Sequence, residues 1–393
     1  MLKTHGLNDV RCEIRETDVK AAAAHPTVIP TLGMSEVSVA GTHYPGFTEA
    51  IGQSIALETD PAREASLTCY MALGKERNGP SDIYGLISRH LPFQNDCNVY
   101  KSTTSGPAHH IIMPGDATLE DARKNVENAL KTWENQMTYV RDNAAELEFV
   151  KGQLQIAESF RRHLISLKKP ESRRIGRVVY SPARLPEART QAFGGSAHSK
   201  KAEWLPDYAL VLLDPARFKS RLCDLNNTMY LEDNQGLVSL NHQICAKPFK
   251  FPDNNGPLRL RGVIPAAELC LPTSRNGRLA SVDGEFILRV GKRGRTTGLT
   301  WGQGNEIESV TRKMVNGRDV KALHWPVISV GLGPFSDDGD SGAAVFTADG
   351  QLVAMMDGGC KHLLPRFDIT YTTPLEWVQE HIKKHAFPSA SFV

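Results

Sequence analysis

The chain has 393 residues, 40% of them apolar and 23% charged, with a formal net charge of +2. Such a balance fits a globular protein of two to three domains. It argues against nucleic acid as a partner, and the lack of any run of about 20 apolar residues argues against a membrane span. Seven cysteines are scattered without a C-x-x-C pair, and Met1–Asp9 lacks an apolar signal core. Reduced thiols and an intracellular location, in cytoplasm or nucleus, are expected. The histidines and cysteines show no zinc-ligand spacing, so no metal or other cofactor is expected.

Residues 1–45 carry few periodic signals and are expected to form an N-terminal extension. β-like texture begins at Gly46. Leu67–Leu73 is a candidate strand, Asn78-Gly79-Pro80 a turn, and Ile83–Ser88 a second strand that runs into Arg89-His90. His90 is therefore a histidine presented at a strand end. His109 and His110 differ in that they precede the strand-like Ile111–Gly115 instead of following one.

Residues 118–168 change in kind. Thr118 with Asp121 three residues later has the form of a capping box. Val126, Leu130, Trp133, Met137, Val140, Ala144, Leu147 and Leu154 fall at steps of three and four, with one position skipped at Lys151. This is a heptad seam, and Lys168-Lys169-Pro170 ends it. A single helix here would be roughly 75 Å long at 1.5 Å per residue. A hairpin folding near Asp142-Asn143 or Gly152 is the compact alternative. Either form makes 118–168 a surface for a homodimer or another protein partner, or else a structural insertion packed on the rest of the chain.

Strand texture returns at Ile175–Pro182, and Thr190–Lys201 has the composition of an exposed loop. Asp207 then leads into the apolar run Tyr208–Leu213, while Asp214 before Pro215 suits a turn. Further strands are expected at Leu258–Val263 and Phe286–Gly291. Gly294–Gly302 suits a β-ribbon in which glycines permit close backbone approach. In Gly339-Asp340-Ser341-Gly342 a serine stands between two glycines. Ala343–Phe346, the Asp349-Gly350 turn and Leu352–Met356 then form a β-hairpin pattern. The serine thus sits on a loop entering a strand. Backbone N–H groups of this loop, most simply those of Gly339 and Ser341, are suited to hold an oxyanion. Thr373–Ile382 closes the series as a helix, with Pro374 suited to its first position and Leu375, Val378 and Ile382 on one face.

Four stretches together resemble the chymotrypsin/trypsin-like serine peptidases: Leu86-Ile87-Ser88-Arg89-His90, Asp207-Tyr208-Ala209-Leu210, Gly294-Arg295-Thr296-Thr297-Gly298 and Gly339-Asp340-Ser341-Gly342. The resemblance covers about 46–117 and 171–380. It implies an all-β two-barrel fold with a C-terminal helix, to which the seam at 118–168 adds an inserted α-helical segment that is not part of the family's ordinary plan. The first barrel is expected from 46–117 and 171–250, the helical insertion at 118–170, the second barrel with its helix at 251–385, and a tail at 386–393. His90, Asp207 and Ser341 occur in the chain order of this family. They are implied as base, orienting acid and nucleophile, with Gly339, Asp340 and Ser341 forming the oxyanion hole. Phe335 and Asp357-Gly358-Gly359 are implied as the substrate pocket, with a protein or peptide as substrate. Phe335 stands where trypsin-like enzymes carry an aspartate, so an Arg/Lys preference is not expected. Nor does the sequence show an activation cleavage site followed by an Ile-Val N-terminus.

Two other readings compete. An α/β-hydrolase esterase needs a Gly-x-Ser-x-Gly elbow, but Ala343 occupies the fifth position and the following residues are β-like. The second rival is a catalytically silent scaffold that works through its helical arm.

Overall fold

A computed structural model describes residues 20–21, 48–74, 83–94, 98–103, 106–185, 203–231, 258–270, 278–280, 286–315, 318–330, 333–360 and 369–393. The Asn78-Gly79-Pro80 turn, the Thr190–Lys201 loop and most of the N-terminal extension lie outside them.

The first barrel uses β1 (Ser54–Leu57), β2 (Asp60–Ser66), β3 (Cys69–Ala72), β4 (Ile83–Ser88) and β5 (His110–Ile112). Two helices follow, α1 (Asp116–Tyr139) and α2 (Ala144–Ser166), and then β6 (Arg174–Ser181) and β7 (Tyr208–Leu213). The sequence suggests one strand over Leu67–Leu73, but the chain bends at Leu67-Thr68 and changes partner. Leu67 N–H donates to Gln53 O (2.9 Å), beside β1, whereas Thr68 N–H donates to Leu86 O (3.0 Å) on β4. β2 and β3 are thus one bent strand that pairs with β1 and then β4. The pairings of β4 with β7, β7 with β6, β6 with β5 and β5 with β1 close an antiparallel ring. Closure leaves no free edge among these strands.

The second barrel follows the same plan with β8 (Phe286–Gly294), β9 (Gly298–Gly304), β10 (Arg318–Ser329), β11 (Ala344–Phe346), β12 (Leu352–Cys360) and β13 (Ile369–Pro374). The antiparallel pairs β8–β9, β9–β10, β10–β13, β13–β12, β12–β11 and β11–β8 complete its ring. The two-barrel architecture expected from the sequence is the one found. Trp325, Val290, Val327 and Phe335 fill the second barrel, and a larger cluster joins the buried residues of the first barrel to Trp301, Phe346, Leu352 and Met355 on second-barrel strands. Strand β7 is buried along almost its whole length, which explains its unbroken apolar run.

The helical segment is a hairpin. Asn143 caps α2 by accepting from Glu146 N–H (3.3 Å). Leu119, Ala122, Val126 and Leu130 of α1 cluster with Ala157 and Leu164 of α2. The expected capping box does not form. α1 starts at Asp116, and Thr118 donates through its N–H to Glu64 Oε1 (2.9 Å) and through its hydroxyl to Glu64 Oε2 (2.7 Å). A carboxylate from β2 thereby satisfies a donor of the helix's first turn and faces the positive end of its dipole.

Three boundaries differ from the sequence reading. Ser391–Phe392, expected as a tail, pairs with β3. Glu203–Trp204, placed with the first barrel, runs parallel to β10 of the second. Pro374 is the N-cap of α3 (Leu375–His385) rather than its first residue. Leu375, Val378 and Ile382 are buried, and Tyr208 OH bonds His381 Nδ1 on α3 (2.8 Å). No helix among the described residues is long and apolar enough to cross a membrane.

Candidate active site

Three segments far apart in the chain meet where the barrels face one another. His90 follows β4 in a tight turn, with Leu91 N–H donating to Ser88 O (3.4 Å). Asp207 immediately precedes β7, the neighbour of β4, and its carbonyl accepts Arg89 N–H (3.1 Å). Adjacent strands thus deliver the two residues side by side. Asp207 Oδ1 accepts His90 N–H (3.0 Å), and Oδ2 lies 2.8 Å from His90 Nδ1. The opposite ring nitrogen, Nε2, lies 2.8 Å from Ser341 Oγ. A carboxylate on Nδ1 assigns the ring proton to that side and leaves Nε2 as an acceptor for the serine hydroxyl. Asp357 O also faces Ser341 Oγ, but at 3.4 Å it is the weaker partner. His109 is elsewhere, its ring packed edge-on against Phe93 and Tyr100. His110 lies on β5.

Burial by itself would raise the Asp207 pKa. The Arg184 guanidinium, together with the charge and hydrogen bonds of His90, outweighs it and holds the carboxyl well below the usual carboxylate range. Arg184 Nη2 donates to Asp207 Oδ2 at 2.9 Å, the oxygen that also faces His90 Nδ1. Arg63 Nη2 donates to His90 O. Neither arginine is singled out by sequence reasoning, since Arg63 within β2 and Arg184 just after β6 have the look of any surface arginine.

The serine loop is held from beneath. Asp340 is fully buried. Its Oδ1 accepts Thr296 N–H (2.7 Å) and Thr297 N–H (3.2 Å), and its Oδ2 accepts the Thr297 hydroxyl (2.6 Å) and Asp337 N–H (3.1 Å). Lys292 Nζ lies 3.1 Å from the same Oδ2. The glycines of 294–298 have a physical role here, because a Cβ at Gly294 would sit 2.4 Å from Asp340 Oδ1. Asp340 N–H donates to Asp337 O (3.1 Å), which removes it from the expected set of oxyanion donors. Gly339 N–H and Ser341 N–H have no acceptor among the described residues. Gly339 has φ +101°, a backbone form that side chains disfavour.

The expected pocket residues divide. The Phe335 side chain is fully buried in the second-barrel core and lines no pocket. Its apolar ring belongs with Val290 and Trp325, and only its carbonyl reaches outward, to Thr300 Oγ1 (2.6 Å). Asp357 sits at an irregularity in β12 beside Ser341. Its Oδ2 accepts Thr373 Oγ1–H (2.6 Å) and faces His324 Nδ1 (3.1 Å), whose Nε2 meets Thr311 Oγ1 (2.9 Å). This second, buried His–Asp pair spans β10 and β12 and has no local sequence signal. Gly358 and Gly359 pair with Tyr371 and Thr370 of β13 on one side and with Ala21 and Lys20 on the other. Among the described residues no group of three or more His, Cys, Asp or Glu side chains is arranged to hold a metal ion.

Two closed antiparallel barrels, with these three residues between them, define the architecture. The chain has the two-barrel fold of the chymotrypsin-like serine proteases. No protein-family model matches the sequence, and no curated protein matches it. Solved structures similar to it include a glutamic acid specific serine protease described as using a histidine triad in substrate binding (11% identity, 88% of this chain and 100% of that one, TM-score 0.35). They also include Cellulomonas bogoriensis chymotrypsin (10% identity, 88% and 99%, TM-score 0.36) and Thermobifida fusca protease A (11% identity, 85% and 96%, TM-score 0.35). The fold assignment rests on the strand pairing, not on these overlaps.

Proposed function

We propose that the chain is a serine endopeptidase acting by acyl transfer. The observation that carries this is His90, whose ring bridges Asp207 and Ser341 at 2.8 Å on each side. In this reading the Ser341 hydroxyl attacks a peptide carbonyl while its proton passes to His90 Nε2. His90 returns the proton to the leaving amine, and water repeats the sequence to release the acid. Asp207 keeps the ring in one tautomer and compensates its cation. Gly339 N–H and Ser341 N–H take the developing oxyanion, each such donor being worth about 3–4 kcal/mol in a protease. Asp357, Gly358 and Gly359 border the substrate. The first test is labelling by a fluorophosphonate: modification at Ser341, lost in Ser341→Ala and His90→Ala, supports the reading. A folded wild-type chain that resists the reagent favours the silent scaffold.

A further inference from the structure

Gly339 N–H is one of the two donors assigned to the oxyanion, and its direction is set from the far end of its own peptide. A trans peptide carries its carbonyl and its N–H on opposite sides, so the direction of Asp338 O fixes that of Gly339 N–H. Glycine accepts φ of either sign at little cost, and Gly339 stands at φ +101°. Its backbone preference therefore leaves the orientation open, and hydrogen bonds choose it. Asp338 O accepts the hydroxyl of Thr296. Thr296 is buried, and its N–H donates to Asp340 Oδ1 (2.7 Å). A Cβ at Gly339 would lie 2.4 Å from Thr296 Oγ1, so the glycine is what lets the hydroxyl come this close. The following peptide is held at both ends. Gly339 O accepts the Ser66 hydroxyl (3.2 Å), and Asp340 N–H donates to Asp337 O (3.1 Å). Ser66 Oγ in turn accepts Arg295 N–H (2.9 Å), so two consecutive residues of the 294–298 turn brace the peptides that flank Gly339.

We propose that Thr296 is a positioning residue, whose hydroxyl latches the Asp338–Gly339 peptide with its carbonyl on the 294–298 turn and its N–H available to an oxyanion. Without the latch the peptide turns over, and a carbonyl takes the place of a donor. The latch stands on these hydrogen bonds alone, whereas its effect on turnover rests on the peptidase reading.

The test compares the full chain with Thr296→Val and Thr296→Ser. Valine exchanges the hydroxyl for a methyl and keeps the backbone bond to Asp340, and serine keeps the donor. On a peptide amide that wild type cleaves, Thr296→Val should lower kcat about a hundredfold, the loss of one oxyanion donor, with KM little changed. Affinity for the matching peptide aldehyde, whose adduct with Ser341 carries the oxyanion, should fall in proportion. Thr296→Ser should restore both. A hydrogen bond on a carbonyl deshields the nitrogen of the same peptide, so the Gly339 amide nitrogen reads the latch directly. Its resonance should move upfield in Thr296→Val and keep the wild-type position in Thr296→Ser. A wild-type kcat in Thr296→Val, a loss confined to KM, or a loss that serine does not restore overturns the proposal. If a fluorophosphonate leaves wild-type Ser341 unlabelled, the peptidase reading fails and the resonance still decides: an unmoved Gly339 nitrogen in Thr296→Val overturns the latch itself.

Discussion

Lys292 Nζ and Asp340 Oδ2 lie 3.1 Å apart, and both side chains are fully buried. The cation that neutralises the carboxylate beneath the serine loop thus comes from β8 of the same barrel. Lys292 also donates to Gly298 O (3.1 Å) and to Thr297 Oγ1, so the pair is embedded in the 294–298 turn. Removing one partner of a buried pair leaves an uncompensated charge, a loss of about 3–5 kcal/mol. Lys292→Met is expected to lower unfolding stability by that order in urea and to slow fluorophosphonate labelling. Lys292→Met with Asp340→Asn should recover part of the stability, because the stranded charge is gone.

Ser341→Ala removes one oxygen from a site where the backbone is already fixed by Ser66 N–H on Ser341 O (2.8 Å). If the chain turns over peptides as proposed, the loss of turnover is expected to reach several orders of magnitude, with an unchanged melting temperature. His90→Ala should match it, while His109→Ala and His110→Ala keep most of the activity. Kinetics with a peptide amide and thermal unfolding of the four variants check this.

Arg184→Met should leave Asp207 without its guanidinium partner. A hydrogen bond to a charged group contributes about 1.5–3 kcal/mol, and turnover should fall because the acid is less firmly held. The pH dependence has a definite sign. Native Asp207 has a depressed pKa, so below the ordinary carboxylate pKa of about 3.9 the unfolded chain binds the extra proton. Its stability contribution is complete above that value and is lost as pH falls toward the native pKa. The stability gap between wild type and Arg184→Met is therefore expected to be largest above about pH 4–5 and to shrink in acid. Urea unfolding from pH 2 to pH 7 measures it, and Arg184→Lys should restore part of the gap.

At the foot of the helical hairpin the sign is opposite. Burial, then the neighbouring Glu64, pushes the Asp121 carboxyl up to about 6, against the pull of Arg295, whose Nη2 lies 3.4 Å from Asp121 Oδ2. Between the unfolded value of about 3.9 and the native one, the native state holds the extra proton, so wild-type stability falls as pH rises through that window. Asp121→Asn is expected to remove this fall and to gain about 1–2 kcal/mol over wild type above pH 6, read by denaturant unfolding at pH 4 and pH 7.

Replacing 118–168 by a Gly/Ser linker would remove contacts that reach beyond the hairpin. Thr118 holds Glu64, and Arg295 Nε donates to both Glu64 and Thr118 Oγ1 (3.1 Å). A replacement restricted to 122–168 keeps that foot, and it is expected to give a folded chain labelled at the wild-type rate. Sedimentation of this variant beside wild type shows whether the hairpin carries association. An unfolded product would place the hairpin in the core.

Much of this protein is legible locally. The runs Ile83–Ser88 and Tyr208–Leu213 become β4 and β7 because their apolar side chains have a barrel to enter, and His90 and Asp207 stand at the ends of those strands. The Asp349-Gly350 turn folds β11 onto β12, which brings Ser341 to the mouth of a hairpin. Other features belong to the tertiary structure alone. Nothing near Phe335 says that its ring points into the core, nothing near Thr118 says that Glu64 will outbid its own capping box, and Lys292 and Arg184 are ordinary cations until the chain closes. Local propensity and apolar period act over a few residues. The partner of a buried charge is chosen by strand pairings across tens to hundreds of residues, where the penalty for leaving it unpaired selects the fold's own counterion.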